Sequence, residues 1–241
     1  MPVREVLDTC AALSAIDEPI PQIGSIAWLW TDDNSNYAGI YVDGPLQAWI
    51  CVFDHEEPML TPAFRSTESF LSRLLDDACC ADPRRSACDI PGLPREIPLM
   101  IRDAAHLESD RQLAARFRQR YDEEANEDLR RLYAQCAICL TPVEDTALVL
   151  TFLQDTDMWT PEAAIRLLEV RGWCEGIEEI ERLAREGGPN GDGAAMRLLT
   201  RMNTDQSRAA ISRLRRVLQG QKLESLEMWA NRKTALQPPR W

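Results

Sequence analysis

Ile26-Ala-Trp-Leu-Trp30, Ala38-Gly-Ile-Tyr-Val-Asp43 and Leu46-Gln-Ala-Trp-Ile-Cys-Val-Phe53 are three short runs of aromatic and β-branched residues. Between them lie Thr31-Asp-Asp-Asn-Ser-Asn-Tyr37 and the turn Gly44-Pro45. Runs of this composition broken by Asp/Asn/Gly clusters predict antiparallel strands joined by tight turns. The segment Ser66-Thr-Glu-Ser-Phe-Leu-Ser-Arg-Leu-Leu75 follows and predicts a capped helix. Ser66 or Thr67 can accept bonds from the first-turn amides, and Phe70, Leu71, Leu74 and Leu75 fall on one face. An α+β unit is therefore expected: a small antiparallel sheet with flanking helices.

Outward from this stretch, Arg4 to Ile16 places Val6 or Leu7, Cys10, Leu13 or Ser14, and Ile16 near one stripe and predicts a short helix, ended by Pro19 and Pro21. After Leu75 the composition changes. Asp89-Ile-Pro-Gly-Leu-Pro-Arg-Glu-Ile-Pro98 carries prolines 91, 94 and 98 and predicts a stiff, extended linker. The boundary falls at residues 82–98, giving an α+β domain over 1–90 and an all-α domain over 99–241.

Every segment beyond the linker reads as helix. Residues 103–120 and 122–140 form amphipathic stretches, and Thr141-Pro142 and Thr160-Pro161 have the form of a cap followed by proline at the first helical position. At a shift of 31 residues, Ala163-Ala-Ile-Arg-Leu-Leu168 falls on Ala194-Ala-Met-Arg-Leu-Leu199. Ile180 falls on Ile211 and Leu183 on Leu214; the same step backward puts Ile180 on Val149, Leu183 on Phe152 and Leu167 on Cys136. Two helices per repeat, each unable to bury its apolar face alone, predict a stacked helical-repeat, solenoid-like domain that resembles HEAT-like repeats.

The net charge is −12, and residues 1–90 carry 15 acidic against 5 basic side chains. That field repels nucleic acid and attracts basic partners. No apolar run reaches the ~20 residues of a membrane span, and the N-terminus lacks a secretory layout, so a cytoplasmic protein without membrane contact is expected. Eight scattered cysteines argue for free thiols rather than a disulfide framework.

Asp54-His55-Glu56-Glu57 has the elements of a general base or metal site. With no nucleophile motif or phosphate loop beside it, it reads better as an exposed acidic loop. Cys136-Ala-Ile-Cys139 has the spacing of half a zinc site or a redox pair, but residues three apart on a helix also share a face, and core packing is favoured. Asp32 and Asp33 lack the glycine and the distal glutamate of a calcium loop and read as turn residues. No catalytic residue, metal or cofactor is expected.

The order Trp30-Thr-Asp-Asp-Asn-Ser-Asn-Tyr37, then Ile50-Cys-Val-Phe-Asp-His55, then Ser66-Thr-Glu-Ser-Phe-Leu71 resembles the SMI1/KNR4 (SUKH) family over residues 24–76. The family's Gly-Gly turn is missing, and Pro19-Ile-Pro21 replaces its proline element only loosely. The resemblance implies a binding domain, in bacteria often an immunity protein that neutralises a toxin nuclease. The expectation is thus an interaction protein presenting Asp32, Asp33, Asp54, His55, Glu56 and Glu57 to a basic partner around Trp49 as aromatic anchor. A helical-repeat scaffold or regulatory subunit is the alternative, and a metal-dependent hydrolase at His55 or the cysteines the third reading.

Overall fold

The computed structural model describes Arg4 and residues 21–31, 36–53, 60–80 and 104–232. The expected helix over 4–16 (but for Arg4) and the linker over 82–98 lie outside the described residues. The chain divides into two compact units: Met1–Pro98 with Gln119–Leu140, and Leu99–Arg118 with Thr141–Trp241. The first unit thus reaches beyond 1–90 and takes in a segment that sequence reading assigned to the all-α domain.

The first unit is built on an antiparallel meander of strands β1 (Ile26–Thr31), β2 (Tyr37–Tyr41), β3 (Ile50–Phe53) and β4 (Thr61–Phe64), in the order β1-β2-β3-β4. Directly paired residues share a face. Ala38 with Val52 and Ile40 with Ile50 therefore mark one face, Tyr37 with Phe53 and Gly39 with Cys51 the other. The first face builds a core from Ala38, Ile50, Val52, Ala63 and Phe64, closed by Phe70 and Leu74 of helix α1 (Thr67–Cys80). A register shift between Trp28 and Trp30 lets both Leu29 and Trp30 pack against this core.

One local expectation changes here, and one strand is added to those expected. Leu46–Trp49 is a turn rather than strand: Trp49 N–H donates to Leu46 O at 2.9 Å, Ala48 N–H donates to Tyr41 O at 2.7 Å, and Ala48 sits at φ 70°. Conversely, Thr61-Pro-Ala-Phe64 is a strand. Pro62 has no N–H to donate, but β4 occupies the sheet edge, where a missing donor costs little. The cap of α1 is as expected: Ser66 Oγ accepts from Ser69 N–H at 3.1 Å and Ser69 Oγ donates back to Ser66 O at 3.0 Å. Its apolar stripe is narrower, however; Phe70 is buried while Leu71 and Leu75 are exposed.

Helix α2 (Ala104–Glu123) contributes residues up to Arg118 to the second unit and the remainder to the first. Helix α3 (Glu127–Leu140) starts at Asn126, whose Oδ1 accepts from Asp128 and Leu129 N–H at 3.1 and 3.0 Å. It packs against β4 and is buried almost continuously from Leu132 to Leu140. A helix buried all round belongs inside a unit, not on its surface.

In the second unit, Val143–Gln154 forms 3-10 turns kinked at Asp145, where a capped α-helix from Thr141-Pro142 was expected. Helices α4 (Trp159–Val170), α5 (Ile177–Glu186), α6 (Pro189–Met202), α7 (Asp205–Val217) and α8 (Gly220–Asn231) follow. Thr160 lies inside α4 and does not cap it; its N–H donates to Asp157 Oδ2, ahead of the helix, at 3.0 Å. Helices α4, α6 and α8 pack side by side, α5 and α7 form a second row, and α6 packs on both members of that row. The 31-residue register is the register of the core. Ala164, Ala195 and Leu226 are fully buried, as are Leu168 and Leu199, and Ile180, Ile211, Leu183 and Leu214 repeat the pattern in the second row. The architecture is α+β followed by an all-α stack. The backward copy holds at Val149 and Phe152, which are buried in the second unit, and breaks at Cys136, which belongs to the first.

Arg171, at the C-cap of α4, is buried and stitches the start of this unit. Its Nη2 donates to Thr141 O at 2.6 Å, and its Nη1 to Thr146 Oγ1 at 2.9 Å and Pro142 O at 3.3 Å. Lys222 Nζ lies 3.0 Å from Asp192 and donates to Gly187 O at the end of α5, where a cation is favoured. Among the described residues no helix is long and apolar enough to cross a membrane.

Candidate functional site

Pairing sets Thr31, Tyr37 and Phe53 in one lateral row: Thr31 opposes Tyr37, and Tyr37 opposes Phe53. Strands lie ~4.8 Å apart, so Thr31 and Phe53 are separated by roughly 10 Å at one end of the sheet. Chain connectivity attaches Asp32 and Asp33 directly after Thr31, and Asp54, His55, Glu56 and Glu57 directly after Phe53. Those six residues lie outside the described residues; their anchoring points do not.

The row rests on an aromatic cluster. Trp28, Tyr37 and Phe53 meet with ring centroids 5.8 to 6.4 Å apart, Trp28 standing edge-on to the other two. Such edge contacts add about 0.5–1.5 kcal/mol beyond the area they bury. Gly39 makes the arrangement possible: a Cβ there would come within 2.5 Å of Ile26 Cγ2 and 3.0 Å of Trp28 Cε3. The end of the sheet from which the acidic segments depart is therefore held by packed rings.

Trp49 is on neither the row nor the surface. It is 8% exposed, and the Arg65 guanidinium stands 4.5 Å from its ring centroid. An anchor that inserts into a partner needs exposed ring surface, whereas this ring is buried within its own unit. Sequence reasoning passed over Arg65, because nothing local to it signals a reach from the end of β4 to the β2–β3 turn. Nearby, Asp43 accepts from Ser25 N–H and Oγ at 2.6 and 2.7 Å, and these bonds hold its carboxyl below the usual range.

Behind the sheet's second face, Tyr41, Cys51 and Cys136 come together as α3 packs in. Tyr41 donates its hydroxyl to Leu60 O at 2.9 Å, and burial pushes its pKa well above the ordinary tyrosine value. Cys51 Sγ donates to Gly39 O at 3.4 Å. The Cys136 thiol is fully buried and pushed up by desolvation first, then by the neighbouring Cys139 and Cys51. A thiol held protonated is a poor nucleophile, which fits a packing role for Cys136. Among the described residues no three His, Cys, Asp or Glu side chains come together in a way that could hold a metal ion.

Comparison with protein-family models, with curated proteins and with solved structures finds no match to the chain.

Proposed function

We propose that the chain is an interaction protein, not an enzyme, whose acidic N-terminal part binds a basic protein and occludes its working surface. The SMI1/KNR4 resemblance implies a toxin nuclease as the partner, and nucleases that grip phosphate are basic. The observation that supports the reading is that Thr31 and Phe53 stand in one row, and that the acidic pairs Asp32-Asp33 and Glu56-Glu57, with Asp54, follow these two positions in the sequence. An excess of acidic side chains attracts a basic partner and accelerates its approach. Within this reading Trp49 and Arg65, which lie toward the Ile50 end of β3 rather than the Phe53 end, do not touch the partner.

A pull-down from native lysate, read by mass spectrometry, tests it with the full chain and the Asp54→Lys/Glu56→Lys/Glu57→Lys variant. The expected result is a basic protein retained by the unaltered chain at low salt and lost from the variant, with association slowed more than dissociation is hastened. Retention of the same partners by both chains, or capture indifferent to salt, overturns the reading.

A further inference from the structure

Within the helical stack the charge is polarised. Residues 141–192 hold 12 acidic against 4 basic side chains, whereas residues 193–241 hold 10 basic against 3 acidic. Part of this polarity is satisfied between helices, Glu181 with Arg213 and Asp192 with Lys222. At the C-terminal turns of α4, α6 and α8 the cations outnumber the acid they surround. Glu169, in the last turn of α4, binds Arg201 and also Arg197, whose Nη2 lies 3.1 Å away. Arg197 and Arg232 both stand over the half-buried Trp229 ring, at 5.6 and 4.6 Å from its centroid. Arg201 Nε is buried and has no hydrogen-bond acceptor. Beside Trp229, Met228 is 44% exposed.

We propose that this edge is a docking surface for an acidic polypeptide segment, separate from the acidic N-terminal surface. Its chemistry is that of a binding hot spot: a tryptophan with arginines held in place before a ligand arrives. Glu169, itself mostly buried, fixes Arg197 and Arg201, so less side-chain freedom is lost when a carboxylate binds their remaining donors. An apolar side chain next to that carboxylate would cover Met228 and the open edge of Trp229. Nucleic acid fits less well. A single strand is held by bases stacked on successive rings along a basic groove, and here one indole is already faced by two guanidiniums.

Fluorescence polarisation with the full chain tests the proposal. The probes are a labelled peptide of alternating glutamate and leucine, a lysine–leucine peptide of equal length, and an oligothymidylate. The acidic peptide is expected to bind saturably and more weakly as salt rises, and to lose about tenfold in affinity with Trp229→Ala or Arg232→Gln. Arg232 lies past the end of α8 and its substitution is expected to leave the stack folded, which circular dichroism checks, so a misfolded tryptophan variant does not obscure the result. The Asp54→Lys/Glu56→Lys/Glu57→Lys variant is expected to bind the acidic peptide no less well, which separates this surface from the N-terminal one. No saturable binding of the acidic peptide, binding unchanged in Arg232→Gln, or tighter binding of the oligothymidylate through the same residues each overturn it.

Discussion

Arg213 of α7 meets Glu181 of α5, 32 residues earlier, in a forked pair whose Nη2–Oε2 distance is 2.6 Å. The same interval separates Glu169 from Arg201 in the neighbouring row. An acid in one repeat and an arginine in the next thus recur in both rows of the stack. Stacking brings residues about one repeat apart face to face, so a charge placed in each copy becomes a bond between copies.

Glu169 is the more consequential of the two acids, because its side chain is 9% exposed and holds two arginines. Glu169→Gln keeps the shape but removes the charge, and is expected to cost about 2 kcal/mol, the scale of hydrogen bonds to charged groups. Urea unfolding monitored by circular dichroism measures it. An unchanged midpoint would show that the arginines find equivalent acceptors elsewhere.

Arg171 satisfies two backbone carbonyls and a threonine hydroxyl from a buried position. Arg171→Ala is expected to destabilise the second unit by about 3 kcal/mol, since the freed acceptors stay buried. Arg171→Lys is expected to recover only part of this, because one ammonium cannot reproduce the planar fork. Thermal unfolding of the three chains gives the order.

Gly39 lies under Ile26 and Trp28, and a methyl group there would also approach Ala27 O at 3.1 Å. Gly39→Ala is expected to cost about 1–3 kcal/mol by overpacking. Near-ultraviolet circular dichroism should show the Trp28 environment altered even where the fold survives. A neutral result with an unchanged spectrum would mean that Ile26 yields freely.

Tyr41 and Cys136 predict the alkaline behaviour of the first unit. Burial raises both folded pKa values above those of the unfolded chain. Their contribution is therefore complete below the ordinary thiol and phenol values and is lost as pH rises beyond them, where the unfolded chain releases protons the folded chain retains. Ultraviolet titration should show Tyr41 ionising only as the fold opens. With a thiol reagent at neutral pH, exposed Cys174 should react at once and Cys136 only on unfolding. Rapid reaction of Cys136 in the native protein would contradict its packing role.

Much of this was legible in local pattern. The Ser66 cap, the strands around Trp28 and Val52 and the 31-residue register of Ala164 and Ala195 are written in short-range spacing, because periodicity follows from the geometry of a helix or strand itself. The acidic segments after Thr31 and Phe53 were likewise visible, and so was the imbalance of charge they carry.

Other features depended on partners distant in the chain. Pro62 argues against a strand until an edge position removes the demand for its N–H. Trp49 reads as an anchor until the fold buries its ring. Helix α3 reads as a repeat until β4 offers a better place to bury its whole circumference. Sequence alone determined most of the helices, three of the strands and where charge was concentrated, since those properties arise within a few residues. Tertiary structure decided which face each segment buried and which side chains met, because burial and ion pairing are settled between residues that only folding brings together.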